Sequence, residues 1–299
     1  MGIKKVLLCG LGAVGLTYAN KLKDVCELKI LADSARIEKY KKLPPELNGK
    51  KIPLKYITPE QTWDPDLILI TTKSNGLESA IEYIKNYVSE KTIIISLING
   101  VTSESQIAEV YGWNNVLHSY FIGHSAVREE NKVTQDGVGK IIFGSPHKEN
   151  AAKVKQLAEF FEAGGIDYEI PKDIIYSLWL KFTLNVFSNQ VSAITNMTFG
   201  ELKNGSVVDF AKGIIAEVAE IAKAEGVKGI ENFEKDTLDA LSLMTDSGKT
   251  SMLQDVLARR KTEVDIFAGE IIRLGELHGI QTPYNQVMHD MIKNLEETF

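Results

Sequence analysis

Cysteine is nearly missing from this sequence: Cys9 and Cys26 are the two in 299 residues. Two thiols cannot build the disulfide framework of a small secreted scaffold, so a reducing compartment is expected. Histidine is sparse too. His118, His124, His147, His278 and His289 never pair at ligand spacing, and no cysteine cluster joins them, so no structural or catalytic metal is expected. No run of five or more Lys or Arg occurs and the formal net charge is −6, which argues against a nucleic acid or an anionic membrane surface as partner. The opening Met-Gly-Ile-Lys-Lys leads into an apolar run that glycines interrupt within a few residues, too short for a signal peptide or a membrane span. A cytoplasmic location is the expectation.

What is present is ordinary globular material, 44% hydrophobic and 25% charged. A chain of this length exceeds the usual reach of one core, so two domains are expected. The first half alternates short apolar runs with helical stretches. Val6–Cys9, Glu27–Leu31, Asp66–Thr71, Thr92–Leu97 and Asn115–Leu117 have the composition of strands buried on two faces. Strands so spaced form parallel βαβ units. Val127 to Gly144 has the pattern of an antiparallel hairpin at the sheet edge, and Asp167–Ile170 that of a further strand. Beyond about Lys172 the pattern becomes helical, with apolar-periodic stretches at Ile174–Thr195, Val207–Glu225 and Met252–His278. Pro171 marks the composition change. The expectation is an α/β chain: a dinucleotide-binding, doubly wound, mostly parallel Rossmann sheet over residues 1–171, and an all-α substrate and catalytic domain over 172–299.

Gly10-Leu11-Gly12-Ala13-Val14-Gly15 follows the first strand directly and opens a helix. Gly10 permits the tight turn, Gly12 lets backbone approach a pyrophosphate, and Gly15 lets helix pack on strand. The helix N-terminus then stabilises the anion. A nicotinamide dinucleotide is the expected cofactor, and the end of the second strand, Ala32-Asp33-Ser34-Ala35-Arg36, bears on which one. Asp33 stands where an acid accepts from a ribose 2′-OH, which favours NAD. Arg36 and Ser34 could instead hold a 2′-phosphate, which favours NADP. A bland alternative is that Asp33 or Ser34 caps the next helix.

In the second half, Lys181, Asn185 and Asn189 stand at i, i+4 and i+8, one stripe of an otherwise apolar helix. Two carboxamides buried there need partners, either a ligand or a polar network between helices. Ser251 and Gln254 have the form of a capping box, so Ser251 is a candidate cap as well as a candidate anion donor. Glu263 lies about 18 Å from Ser251 along a straight helix, so both reach one substrate only if the chain bends. Lys73 and Asn99-Gly100 fall at the carboxyl ends of their strands, where open α/β sheets bind ligands. A surface lysine and a plain tight turn are the alternatives there.

With these motifs in order, Gly10-x-Gly12-Ala13-x-Gly15, Thr72-Lys73, Asn99-Gly100, Lys181-x3-Asn185-x3-Asn189 and Ser251-Met-Leu-Gln-Asp255 with Arg260-x-Thr262-Glu263-x-Asp265, the chain resembles the ketopantoate reductases (2-dehydropantoate 2-reductases) over about residues 3 to 295. The resemblance implies reduction of 2-dehydropantoate to pantoate, a step toward pantothenate, in a cleft between a Rossmann domain and a helical one. It implies Lys181 as general acid, Asn99 and Lys73 beside the nicotinamide, Asn185, Asn189, Ser251 and Asp255 as substrate-binding residues, and Glu263 orienting substrate or lysine. NADPH is the family's usual cofactor, but Asp33 stands where the family carries an arginine, so NAD remains open. A homodimer built on the helical domain fits the resemblance. A related 3-hydroxyacid or opine-type dehydrogenase, and an NAD(P)-binding protein without turnover, are the alternatives.

Overall fold

The computed structural model describes residues 2–123 and 125–299; His124 and Met1 lie outside them. The chain divides into two compact units, Met1–Ile174 and Ile175–Phe299. The first runs β1 (Lys5–Cys9), α1 (Ala13–Leu22), β2 (Glu27–Leu31), α2 (Ser34–Lys42), the short strands β3 (Glu46–Leu47), β4 (Lys50–Lys51) and β5 (Tyr56–Ile57), then β6 (Leu67–Ile70), α3 (Leu77–Tyr83), β7 (Ile93–Ser96), α4 (Ser103–Tyr111) and β8 (Val116–Ile122). After these come β9 (Ser125–Glu129), β10 (Lys132–Asp136), β11 (Lys140–Gly144), α5 (Ala151–Ala163) and β12 (Tyr168–Glu169).

Eight strands form one mixed, mostly parallel sheet in the order β12-β11-β8-β7-β6-β1-β2-β5, in which only β8 and β11 pair antiparallel. The unit is therefore Rossmann-like, as its strand pattern implied. The twofold period of the strands sends alternate residues to two cores. Val6, Leu8, Ile30 and Leu69 join the cluster on the α1 and α5 side; Leu7, Cys9, Ile68 and Ile70 join the one beneath α3 and α4. Continuous apolar strands are what a sheet covered on both faces requires.

The expected hairpin at the sheet edge needs correction. Its two arms are β9 and β10, antiparallel as foreseen, but they belong to a separate four-stranded sheet, β4-β3-β10-β9. Only β11 returns to the main sheet, against β8, and β12 rather than the hairpin covers that edge. The reason lies in β3, which pairs with β10 through Leu47 and Val133, both buried in the α1-side core. A two-residue strand is too short to leave a periodic signal.

Three backbones meet where β1 turns into α1. Gly10 has φ of +100°, and a Cβ on it would lie 2.8 Å from the Thr72 nitrogen. At Gly15 a Cβ would come within 2.0 Å of the Gly10 carbonyl oxygen and 2.5 Å of Thr71 Oγ1. Thr71 Oγ1 donates within reach of both the Gly10 oxygen (2.7 Å) and the Cys9 oxygen (3.1 Å). Gly12 differs: its φ is −71° and its nearest such neighbour is 3.8 Å away.

The second unit takes up α6 (Ile174–Thr195) from its second residue and continues through α7 (Phe199–Leu202), α8 (Ser206–Ala224), α9 (Phe233–Ser242), α10 (Ser251–Leu257), α11 (Ala268–His278) and α12 (Pro283–Glu296). Leu178, Trp179, Phe182, Leu184, Val186 and Phe187 are buried along α6. Its interior hydroxyls are satisfied locally, Thr183 donating to the Trp179 oxygen and Ser188 to that of Leu184, both at 2.7 Å. Glu217 of α8 caps α12 from outside, accepting from the backbone of Tyr284 (2.7 Å) and Asn285 (3.1 Å). The single helical stretch expected over Met252–His278 is broken between Leu257 and Ala268. Arg259 adopts φ of +50°, and Arg260 folds back so that its Nε lies 2.9 Å from Asp255 Oδ1. The run Ala258 to Glu263 offers no apolar face to continue the helix.

Gly15→Ala is expected to destabilise the fold by about 3 kcal/mol, because backbone must give way. Gly12→Ala should change stability by less than about 0.5 kcal/mol, since no atom opposes its Cβ. Urea denaturation of both variants tests the contrast; equal losses would contradict it.

Candidate active site

The register of the sheet brings the first group of residues to one edge. Cys9 lies opposite Leu31 and Ile70, and Ile70 opposite Ser96, so the segments after β1, β2, β6 and β7 all leave the sheet on the same side. They carry Gly10 to Gly15, Asp33, Lys73 and Asn99 respectively. Gly12 is the N-cap of the ten-residue α1 and supplies no side-chain cap, so the first turn of that helix presents backbone toward whatever occupies the space above it. Gly10 and Gly15 are demanded by the protein's own packing, whereas nothing in the chain demands glycine at position 12. Room kept open at a helix N-terminus fits a phosphate group.

Asp33 caps α2: its Oδ1 accepts from the Arg36 nitrogen at 2.7 Å, and the Arg36 guanidinium lies 3.4 Å from Oδ2. The bland alternative for Asp33 is thus realised, and it leaves a half-exposed carboxylate at the end of β2. Lys73 is exposed and precedes a 3-10 turn over Ser74–Gly76. Asn99 is half-buried in the turn after β7, next to Gly100 at φ +111°. Behind that turn sits Glu104, 2% exposed, accepting from Ser103 Oγ at 2.8 Å and the Ser119 nitrogen at 3.1 Å. Burial pushes its carboxyl up to about 7. Glu104 and Thr71 escaped sequence reasoning, because a Glu in a first helical turn and a Thr after a strand are each commonplace.

In the helical unit, Lys181 Nζ donates to Asn185 Oδ1 at 2.8 Å, one turn along α6. Asn189 Oδ1 accepts from Ser251 Oγ at 3.0 Å and from the Met252 nitrogen at 3.1 Å. Asn185 and Asn189 are 7% and 4% exposed. Asn189 Oδ1 thus accepts two hydrogen bonds and Asn185 Oδ1 one, so the N–H groups are the main donors these side chains can offer a ligand. Together with the ammonium this makes a stripe of donors, suited to a carbonyl or carboxylate. Desolvation lowers the Lys181 pKa from the ordinary 10.5 to about 8.

Ser251 is not the cap of α10, which corrects the capping-box expectation. Thr250 holds that place, its Oγ1 accepting from the Leu253 nitrogen at 3.2 Å, while Gln254 Nε2 turns back to the Lys249 oxygen. Releasing Ser251 from capping is what lets it bridge to Asn189. Asp255 pairs with Arg260, and Glu263 stands half-buried at the start of the 3-10 turn Val264–Ile266. The helix is broken between Ser251 and Glu263, so the two do not lie along one straight helix.

The Rossmann-like sheet followed by a helical unit defines the fold class. Residues 6–148 match the family model described as Ketopantoate reductase PanE/ApbA, and residues 173–296 its C-terminal counterpart, so the chain belongs to the ketopantoate reductase family. A 2-dehydropantoate 2-reductase of Pyrococcus horikoshii is 28% identical over 297 residues, covering 98% of this chain and 97% of its own. One of Vibrio cholerae is 29% identical over 235 residues, covering 78% and 79%. Among solved structures, D-mandelate dehydrogenase with NADH and anilino(oxo)acetate matches at a TM-score of 0.86 and 22% identity, over 98% of this chain and 99% of that one. Dimeric ketopantoate reductase from Staphylococcus aureus matches at 0.78 and 19%, with the same coverage. At these identities the two structures share the fold.

Because folded Lys181 binds its proton less tightly than the unfolded chain does, its own contribution to stability should rise with pH between about 8 and 10.5, where the unfolded state still holds a proton that the folded state has released. Lys181→Met should remove that rise and stabilise the protein by about 1–3 kcal/mol at pH 7. Urea midpoints at pH 7 and pH 10 for both proteins decide it; an undiminished rise in the variant would assign the effect elsewhere.

Proposed function

We propose that this protein reduces 2-dehydropantoate to pantoate with a reduced nicotinamide dinucleotide, as a cytoplasmic, homodimeric enzyme. The observation that carries the reading is the donor stripe of α6: an ammonium at a pKa near neutrality beside two carboxamides whose oxygens are already engaged. The 2-dehydropantoate 2-reductases of Pyrococcus horikoshii and Vibrio cholerae lend it support as relatives.

Gly10, Leu11, Gly12, Ala13, Val14 and Gly15 would hold the dinucleotide, with Asp33 or Arg36 at its ribose, and when bound it would supply the hydride that reduces the ketone carbon. Lys181 donates a hydrogen bond to the ketone oxygen, stabilises the negative charge that grows there and delivers the proton that completes the hydroxyl. Asn185 and Asn189 orient the substrate through their N–H groups, Ser251 and Asp255 complete its binding, and Glu263 orients substrate or lysine. Asn99 and Lys73 would stand beside the nicotinamide. The product is a 2-hydroxy acid and the oxidised dinucleotide.

A second reading rests on Asp33. A carboxylate at the end of β2 accepts from a 2′-hydroxyl and repels a 2′-phosphate, which favours NADH, the cofactor bound in the D-mandelate dehydrogenase structure. On that reading the substrate is another small 2-keto acid, and the family's usual NADPH is replaced.

The test is oxidation of NADPH and of NADH in the presence of 2-dehydropantoate and a panel of other 2-keto acids. Turnover on 2-dehydropantoate that falls about a thousandfold in Lys181→Ala supports the first reading. A much better keto acid supports the second, and dinucleotide binding without turnover on any acid defeats both. Since Lys181 must carry its proton, kcat/KM for reduction should decline as pH rises through about 8, while oxidation of the hydroxy acid should gain over the same range. A flat reduction profile would remove Lys181 from the acid's role. Asp33→Arg should raise the NADPH-to-NADH ratio of kcat/KM at least about tenfold; an unchanged ratio would show that Asp33 does not select the cofactor.

A further inference from the structure

The small second sheet packs on the glycine loop and hydrogen-bonds it through Arg128. Arg128 of β9 donates from Nη1 to the carbonyl oxygen of Leu11 at 2.7 Å, and its Nε donates to the Glu130 oxygen at 2.9 Å, which fixes the plane of the guanidinium. Pairing of Arg128 with Val133 and of Ala126 with Gln135 puts these residues on one face of the β9–β10 hairpin. That face meets α1: Val133 is buried in the same core as Leu11 and Leu16, and Gln135 hydrogen-bonds Thr17 one turn into the helix. The hairpin thus grips the loop and its helix at two points, the Leu11 carbonyl and the Thr17 hydroxyl.

The peptide joining Leu11 to Gly12 is planar and trans, so its C=O and N–H point in opposite directions. Whatever holds the Leu11 oxygen also aims the Gly12 nitrogen. A carbonyl turned toward a phosphate repels it, whereas an N–H turned toward it binds. Gly12 could rotate either way, having no side chain to resist.

The geometry points to Arg128 as a positioning residue for the dinucleotide: by holding the Leu11 carbonyl toward the hairpin it keeps the Gly12 N–H directed at the pyrophosphate, although Arg128 lies more than a hundred residues from the loop in sequence. This inference rests on the proposed dinucleotide binding. It gives the second sheet a task in cofactor affinity, beyond covering the α1-side core.

The experiment measures binding of ADP-ribose by calorimetry, which needs neither substrate nor turnover, together with the melting temperature of the ligand-free protein. Arg128→Ala should weaken ADP-ribose binding about tenfold or more, and Arg128→Lys, which retains a charged donor, should recover part of the loss. Gln135→Ala removes the neighbouring grip on Thr17 and leaves the Leu11 carbonyl held, so it should lower the melting temperature while binding stays within about twofold of wild type. Wild-type affinity in Arg128→Ala would overturn the inference. Equal weakening in Gln135→Ala would also overturn it, since general docking of the hairpin would then explain the effect. If the wild-type protein fails to bind ADP-ribose, the dinucleotide reading itself falls, an outcome distinct from either of these.

Discussion

Where β1 passes into α1, backbone packs against backbone with no space for a Cβ at Gly10 or Gly15, and Thr71 bonds across the gap to the carbonyls of Cys9 and Gly10. This contact sets the distance between β1, β6 and the first helix. The in-register ends of β2, β6 and β7 then follow from ordinary parallel pairing. One edge of the sheet thereby collects a helix N-terminus, an acid at the end of β2 and the turn that carries Asn99. Close approach at two glycines is what gathers these groups along one edge of the sheet.

The helical unit works under the opposite constraint. Its longest helix, α6, is apolar enough to be buried, yet it carries a lysine and two asparagines on one stripe. Burial disfavours the ammonium, and the hydrogen bond from Lys181 to Asn185 offsets part of that cost without an opposing carboxylate among the causes of its shift. The outcome is a Lys181 pKa of about 8, well below the ordinary lysine value. Asn189 ties α6 to the start of α10 through its Oδ1, which accepts from the Ser251 hydroxyl and the Met252 nitrogen.

The parallel strands were legible because sheets covered on both faces need unbroken apolar runs, and Glu27–Leu31 and Ile174–Thr195 have the bounds that their patterns implied. The second sheet was not legible. Its strands β3 and β4 are two residues long, and the pairing of β3 with β10 spans more than eighty residues of chain. The division of labour between Thr250 and Ser251 was equally hidden, since both are hydroxyl residues of similar capping preference and only the position of Asn189 decides which is drawn away. The break after Leu257 had a local trace in a polar run, but the left-handed turn at Arg259 depends on the Asp255–Arg260 pair closing behind it.

By itself the sequence determined what local periodicity and residue type encode: the order of strands and helices, the glycine loop in its strand-to-helix setting, and the alignment of Lys181, Asn185 and Asn189 along one helical face. Tertiary structure alone decided which of those polar atoms are engaged and by whom. It joined Asn189 to Ser251, brought Arg128 to the Leu11 carbonyl, and removed enough water from Lys181 to shift its proton affinity. The physical reason is that helix and strand periods arise from nearest-neighbour geometry, whereas hydrogen-bond partners and desolvation depend on atoms brought close only when distant segments pack.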